Sequence, residues 1–179
     1  MGVVETVVVA LWVMLPAYLP NNAAVIAGGG RPIDGGRTWG GKRVLGDGKT
    51  WRGTAVGVGV GILLALGLNA IRPGDLLGAT PPEFSIAAAV ALPAGAMLGD
   101  VAASFLKRRT GRERGAVFPV VDQLDFVAGA LVLAAIAAPG WFGDVFTPIL
   151  LLAVVLITPL LHLGANLIAY ALDVKSEPW

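Results

Sequence analysis

Long apolar runs are the feature of this sequence that most constrains its fold. Five of them are long enough to cross a bilayer at about 1.5 Å per helical residue, and they cover residues 3–27, 54–71, 85–106, 121–138 and 146–172. Hydrophobic residues make up 56% of the chain and charged residues only 14%, unlike soluble domains. The sequence therefore predicts an all-α, polytopic integral membrane protein of about five transmembrane helices with polar cytoplasmic loops. Residues 1–179 are expected to form a single membrane-embedded domain.

Basic residues gather on one side of this arrangement. Of the 13 Lys and Arg residues, every one except Arg72 lies in the first or third connection or in the C-terminal tail. The positive-inside rule assigns that side to the cytoplasm. We therefore expect a multi-pass protein of the plasma membrane, with the N-terminus outside and the C-terminus inside. Glu5, where a signal peptide would carry basic residues, indicates a retained first span.

Composition also limits the chemistry. The chain has no Cys, which excludes disulfides, thiolate nucleophiles and Cys metal sites, and its single histidine, His162, excludes a site that needs two imidazoles. His162 falls within the last apolar run, where an interhelical hydrogen bond is its expected role. Any reaction must then use carboxylates, hydroxyls, amides, Lys and Arg.

Small residues and prolines predict how the first two spans pack. Glycines recur at every fourth position of the second span, the spacing that lets helix backbones approach closely in a bilayer; they are Gly53, Gly57 and Gly61. Pro16 and Pro20 are expected to kink or break the first span. Asn21 and Asn22 follow directly, so this end of the span is expected either to line a pocket or to be capped by an Asn side chain.

Acidic residues at the ends of the third and fourth spans suggest a metal site. Asp100 lies within an apolar run, where a carboxylate is costly, and Ser104 and Lys107 share its helical stripe. Asp122 and Asp125 lie one turn apart at the start of the fourth span. Carboxylates suit Mg²⁺, and the nearby Lys and Arg residues suit phosphates. A purely structural network, with Asp100 paired to Lys107 or Arg108, is the alternative.

The first basic connection, residues 28–53, forms a second polar cluster. Its GDGKT segment fails as a P-loop, because the required first glycine is Arg43 and no strand precedes it. Glycines still let backbone amides approach an anion, and Lys49 and Arg52 lie close to the start of the second span. A flexible linker is the alternative. Trp39 and Trp51 are expected to anchor this connection at the headgroup level.

Several of these segments together resemble the CDP-archaeol synthases, archaeal relatives of the bacterial CDP-diacylglycerol synthases. The segments are LGD, SFLKRRTG and DQLDF, with PAYLPNN, GGGRPIDGG and GKTWRG. They span nearly the full length and are specific in combination. Two departures from the bacterial pattern stand out, because AVFPVV replaces a Pro-Gly-His-Gly-Gly stretch and Gln123 replaces an arginine.

The resemblance implies a nucleotidyltransferase, a CTP-dependent cytidylyltransferase of archaeal phospholipid biosynthesis. Its substrates would be CTP and an isoprenoid ether lipid phosphate, 2,3-bis-O-geranylgeranyl-sn-glycerol 1-phosphate, and its products a CDP-lipid and pyrophosphate. The expected cofactor is Mg²⁺, and membrane lipids surround the protein. No nucleic acid and no protein partner are expected.

The resemblance also assigns roles to the candidate residues. Asp100, Asp122 and Asp125 would hold Mg²⁺ as part of the catalytic set, in which Ser104 would support metal or phosphate and Lys107 would bind the triphosphate. The remaining substrate-binding candidates are Asn21, Asn22, Asp34, Lys49, Arg52, Arg108 and Gln123.

Two other functions fit parts of the pattern. A CDP-alcohol phosphotransferase also uses metal-bound aspartates, but its D-x-x-D-G-x-x-A-R motif is missing, since Phe126 and Val127 follow DQLD. A small transporter for an anionic solute would place its site at the bilayer midplane. The charged residues instead gather at one membrane face.

Overall fold

The computed structural model describes residues 2–110 and 121–171, and of residues 121, 122, 165, 166, 168, 169 and 171 it describes the backbone alone. Within the described residues, six helices carry the fold: α1 (Val3–Ile26), α2 (Trp51–Ile71), α3 (Ile86–Arg109), α4 (Val121–Ala137), α5 (Pro139–Val145) and α6 (Pro148–Ala171). Two short strands, β1 (Thr38–Trp39) and β2 (Lys42–Arg43), form an antiparallel hairpin between α1 and α2. The predicted all-α, polytopic class is confirmed.

The five expected spans correspond to α1, α2, α3, α4 and α6. In the described part of the chain, α1, α2 and α3 are each long and apolar enough to cross a membrane. A fourth span results if α5 and α6 are counted together, although they meet at 84°. Helix α4 is apolar but shorter. The protein is thus a multi-pass membrane protein, and five is an approximate number of spans.

Helix starts follow local capping chemistry. The hydroxyl of Thr50 accepts a hydrogen bond from the backbone N–H of Gly53 at 3.1 Å, and that of Ser85 accepts one from Ala88 at 3.1 Å. Each satisfies a donor that the first turn of a helix leaves free. At α5, Pro139 occupies the first turn, where its missing N–H costs nothing.

The glycines of α2 make the close helix contact that the sequence predicted, and the structure identifies α1 as the partner. A methyl group added to Gly57 would lie 2.7 Å from the carbonyl oxygen of Pro20, and one added to Gly61 would lie 2.6 Å from that of Pro16. Such distances leave no room for a side chain. The prediction of close helix packing is confirmed.

The prolines of α1 do not break it. The helix runs without interruption from Val3 to Ile26 and contains both Pro16 and Pro20. Of the two expected outcomes, a kink or a break, the break was wrong. Pro20 leaves the carbonyl of Pro16 without its usual helical donor, and Gly61 of α2 packs closely against that carbonyl oxygen.

Glycines also bring α3 and α4 together, a contact that the sequence analysis did not identify. A methyl group on Gly95 would lie 2.8 Å from the Cα of Ala130, and one on Gly129 would lie 2.7 Å from the Cα of Gly99. The two backbones therefore touch. This contact fixes the ends of both helices, including the polar residues that they carry.

Apolar side chains fill the centre of the bundle and cover its outside. Met14, Leu92 and Leu150 are fully buried, whereas Leu63 and Ile136 are 70% and 72% exposed. In a membrane protein an exposed apolar belt faces lipid, so it is compatible with the bilayer rather than a defect.

Candidate active site

A cavity of about 500 Å³ opens at one polar end of the bundle. It lies between the C-terminal part of α1, the middle of α3 and α6, and the first turns of α2 and α4. Polar side chains from five of the helices (α1, α2, α3, α4 and α6) and from the two residues just before α2 line it: Tyr18, Asn21, Asn22, Lys49, Thr50, Thr54, Asp100, Asp125, Thr158 and His162. Five of the sequence-predicted site residues are in this lining: Asn21, Asn22, Lys49, Asp100 and Asp125.

An ion pair between Lys49 and Asp100 joins the first loop to α3 inside this cavity. The Nζ of Lys49 lies 2.5 Å from Oδ2 of Asp100, with side-chain exposures of 26% and 21%. The alternative to a metal site that the sequence suggested was a structural pair of Asp100 with Lys107 or Arg108. The partner is instead Lys49, which is 51 residues away along the chain. Periodicity within one helix could not have identified it.

Backbone hydrogen bonds hold Lys49 at this point. Its carbonyl accepts from the N–H of Ile33 at 2.8 Å, and its N–H donates to the carbonyl of Gly46 at 3.3 Å. Thr50, the next residue, forms an isolated bridge with Pro32. The end of the loop is therefore an ordered segment rather than a flexible linker.

Asp125 enters the cavity from the first turns of α4. One of its carboxylate oxygens accepts a hydrogen bond from the N–H of Phe126 at 2.6 Å. Gly99 touches the backbone carbonyl of Asp125 directly, and Asp100 follows Gly99 in α3. The glycine contact between α3 and α4 thus brings two predicted metal ligands into one cavity.

Asn21 presents an unsatisfied acceptor to the cavity. Its Oδ1 atom is buried, and no group in the described part of the chain donates a hydrogen bond to it. A buried carbonyl oxygen without a partner costs about 1–3 kcal/mol. A ligand that supplies a donor or a cation would remove that cost.

The deep end of the cavity carries residues that the sequence analysis did not assign to the site. The hydroxyl groups of Tyr18 and Thr158 are hydrogen-bonded at 2.9 Å, and Thr158 also donates to the carbonyl of Val154 at 2.7 Å. The rings of Tyr18 and Phe126 pack edge to face at 5.9 Å. His162, expected to make an interhelical hydrogen bond, lines the same cavity. The sequence signal that could have identified Tyr18, Thr158 and His162 as site residues is their position as polar residues within apolar helices.

Asp34 lies outside the cavity lining and holds the first loop together. Its carboxylate accepts from the Arg43 guanidinium at 2.9 and 3.3 Å, and from the N–H groups of Gly36, Leu45 and Gly46. The Arg43 hydrogen bonds lower the pKa of Asp34 well below its ordinary value of 3.8; burial opposes this shift, and the backbone donors add to it. These bonds make Asp34 a loop-forming residue.

The other candidates occupy different positions. Ser104, Lys107, Arg108 and Gln123 are half-buried, Arg52 is exposed on the first turn of α2, and none of these side chains is in the cavity lining. The side chain of Asp122 lies outside the described residues. Arg108 lies against Gly46, since a methyl group there would be 3.6 Å from its Nη2.

The donor set of the cavity fits a hard cation. Asp100, Asp125 and the orphaned amide oxygen of Asn21 supply the oxygen ligands that Mg²⁺ prefers. Among the described residues, no three His, Cys, Asp or Glu side chains cluster closely enough to hold a metal by themselves. Mg²⁺ commonly takes one or two carboxylates and completes its shell with water and substrate phosphates. A site of this type would match the lining.

Comparison with known proteins gives a consistent result. A CarS-like family model described as CDP-archaeol synthase matches residues 3–179. The CDP-archaeol synthase of Halobacterium salinarum is 66% identical, with 100% of each chain covered. That of Methanosarcina mazei is 50% identical, with 93% of this chain and 100% of the relative covered. A solved structure of an intramembrane enzyme for archaeal membrane lipid biosynthesis superposes with a TM-score of 0.71 at 38% identity, covering 88% of this chain and 92% of the other.

Proposed function

We propose that this chain, which belongs to the CDP-archaeol synthase family and is therefore a CTP-dependent cytidylyltransferase of archaeal lipid synthesis, carries out its reaction in the cavity that contains Lys49 and Asp100. The substrates are CTP and 2,3-bis-O-geranylgeranyl-sn-glycerol 1-phosphate. The products are the CDP-lipid and pyrophosphate. The observation that carries this location is the Lys49–Asp100 ion pair, a cation and a carboxylate joined in a cavity at the basic end of an apolar bundle.

The chemistry is a displacement at the α-phosphorus of CTP. An oxygen of the lipid phosphate forms a bond to that phosphorus, and the bond from the phosphorus to the α,β-bridging oxygen breaks, so pyrophosphate leaves with the electron pair. The lipid phosphate has a second pKa near 6, so it is already ionised at neutral pH and needs little help from a general base. Positioning and neutralisation of charge are the main tasks of the protein.

Residues that line the cavity can perform both tasks. Asp100 and Asp125 would hold Mg²⁺, with Asp122 as the third ligand suggested by the sequence. The ion neutralises phosphate charge when it is bound. Lys49 is placed to bind a phosphate of CTP, because it already lies beside Asp100. Asn21 and Asn22 supply amide groups for the nucleotide or the cation.

Residues at the rim would act at longer range. Lys107, Arg108 and Arg52 raise the local positive potential that attracts CTP from the cytoplasm, while Ser104 and Gln123 flank the acidic helix ends. Asp34 contributes through loop structure. Opposite this basic rim, the only basic residue of the next connection is Arg72. This asymmetry supports a plasma-membrane protein with its N-terminus outside and its active site on the cytoplasmic face.

The direct test is transfer of label from [α-³²P]CTP to lipid by the detergent-purified protein. We expect incorporation with the isoprenoid ether phosphate and Mg²⁺, much less with a diacyl glycerol phosphate, and none in excess EDTA. Asp122→Asn and Asp125→Asn should both abolish transfer at unchanged expression. Full activity in EDTA, or in both variants, would contradict the metal scheme, and release of pyrophosphate without labelled lipid would contradict the acceptor.

A further inference from the structure

One side chain at the end of α3, Arg109, joins both strands of the first-loop hairpin to that helix. Its guanidinium donates hydrogen bonds to the backbone carbonyls of Trp39, Lys42 and Arg43, at 2.6, 3.3 and 2.9 Å. The guanidinium carbon also lies 5.2 Å from the Trp39 ring and 5.5 Å from the Phe105 ring. The two rings lie 6.1 Å apart, and the guanidinium lies beside both of them. A planar, multiply donating group in contact with two aromatic rings is an arrangement that lysine cannot reproduce.

A continuous set of hydrogen bonds connects this contact to the cavity. Arg43, whose carbonyl accepts from Arg109, pairs through its side chain with Asp34. Asp34 accepts in turn from the N–H of Gly46, and the carbonyl of Gly46 accepts from the N–H of Lys49. The position of Lys49 therefore depends on where the hairpin is held.

The loop thus meets α3 at two points that differ in chemistry. At the cavity, Lys49 pairs with Asp100, and both groups are needed by the substrate and the cation during the reaction. At the end of the helix, Arg109 binds backbone carbonyls that neither CTP nor a metal ion requires. Only the second contact can persist while the first is rearranged.

We propose that Arg109 is a positioning residue for cytidylyl transfer, which keeps the first loop on α3 so that Lys49 remains at the cavity when its pair with Asp100 opens. Arg109 does not line the cavity, so it acts through Lys49. The inference rests on the function proposed for the cavity.

Steady-state kinetics of Arg109→Gln test the proposal. We expect KM for CTP to rise about tenfold, because the loss of hydrogen bonds from a charged donor should weaken loop docking by about that factor. Because bound CTP itself favours the docked loop, kcat at saturating CTP should stay within about threefold. Arg109→Lys should give an intermediate KM. The matched control is Arg37→Gln, an exposed arginine of the same loop, which should retain the parent KM.

A distance measurement separates positioning from a general loss of structure. The chain has no Cys, so spin labels can be attached specifically at Thr38→Cys and Ala102→Cys, both at exposed positions. The distance distribution should be narrow with Arg109, broad in Arg109→Gln and narrower again when CTP is added. If Arg109→Gln fails to fold, Phe105→Leu weakens the same contact more gently and should broaden the distribution to a smaller degree.

The outcomes distinguish this inference from the function on which it depends. If the parent protein transfers no label to lipid, the function proposed for the cavity fails, whereas the spin-label distances still report on docking. If the parent is active and Arg109→Gln keeps both the parent KM and a narrow distribution, the positioning role of Arg109 is overturned. A broad distribution with an unchanged KM would also overturn it.

Discussion

The two polar ends of the bundle use their hydrogen bonds in opposite ways. At the end away from the cavity, the connection between α2 and α3 is held by groups that satisfy one another. Asn69 exchanges two hydrogen bonds of 2.8 Å with the backbone of Phe84. The indole N–H groups of Trp12 and Trp141 donate to the carbonyls of Pro82 and Glu83.

At the cavity end, several groups are instead available to a ligand. Asp100 and Lys49 pair with each other, but a cation could bind Asp100 in place of Lys49, and a phosphate could bind Lys49 in place of Asp100. The Oδ1 atom of Asn21 is buried and has no donor from the described part of the chain. Unsatisfied or exchangeable polar groups cost stability and are typical of functional sites. This difference is consistent with the proposal that the cavity end carries the catalytic site, whereas the groups of the opposite end stabilise the fold.

The largest expected effect is on activity at the cavity end. Asp100→Asn should reduce cytidylyl transfer about 10²–10³-fold or more, because it removes a carboxylate proposed to hold the Mg²⁺ that neutralises the reacting phosphates. Its thermal unfolding midpoint should change little, since the amide oxygen can still accept a hydrogen bond from Lys49. Asp75→Asn, at an exposed aspartate of the opposite end, is the control and should remain active. A fully active Asp100→Asn variant would contradict the proposal that the cavity end carries the catalytic groups.

The second effect should join stability and activity. Gly99→Ala places a methyl group on the Asp125 carbonyl and 3.1 Å from the Cα of Phe126. We expect a loss of about 1–3 kcal/mol in unfolding free energy from overpacking, and a fall in transfer rate because both Asp100 and Asp125 shift. Gly67→Ala, where an added methyl group meets nothing within 4 Å, is the matched control and should be neutral or stabilising. Equal behaviour of the two variants would contradict this account.

The third effect should be confined to stability. Asn69→Ala leaves the backbone N–H and carbonyl of Phe84 without their side-chain partner. We expect a loss of about 1–3 kcal/mol in unfolding free energy, measured by thermal denaturation in detergent, with KM and kcat close to the parent values. A large fall in kcat with an intact fold would show that the two ends are coupled.

The smallest effect should be a pH dependence of the first loop. The folded-state pKa of Asp34 is lowered by Arg43, so the ionised carboxylate stabilises the loop above the ordinary value of 3.8. This contribution is lost as the pH falls below that value towards the lower folded-state pKa. The Leu45 and Gly46 amides donate to Asp34. Their protection factors, the intrinsic exchange rate divided by the observed rate, should remain high from pH 7 to about 4 and fall below it.

The control for this measurement is Asp34→Asn. In this variant the Leu45 and Gly46 amides should have lower protection factors at every pH, and the protection factors should show no acid transition. Retention of the transition in that variant would assign it to another group.

Much of the architecture could be read from the sequence, because bilayer length, charge asymmetry and glycine spacing are local properties. They predicted helices near the observed bounds and close packing of the second span through Gly57 and Gly61, whereas the partner, α1, came from the structure. Of the kink or break expected at Pro16 and Pro20, the break was wrong. The effect of a proline depends on the helices packed around it, which the sequence does not specify. Asn21, Lys49, Asp100 and Asp125 were also selected as site residues, since polar groups at helix ends in apolar surroundings are conspicuous.

The sequence by itself thus determined that this chain spans a membrane, that its basic residues are concentrated in alternate connections, and which residue types could meet a nucleotide and a lipid phosphate. Only the tertiary structure decided the partners: Lys49 for Asp100, Arg43 for Asp34, and the hairpin carbonyls for Arg109. The physical reason is range. Hydropathy and periodicity are properties of one helix. Ion pairs and hydrogen bonds depend on which helices the glycine contacts bring together, and the sequence does not directly show the distance between residues of different helices.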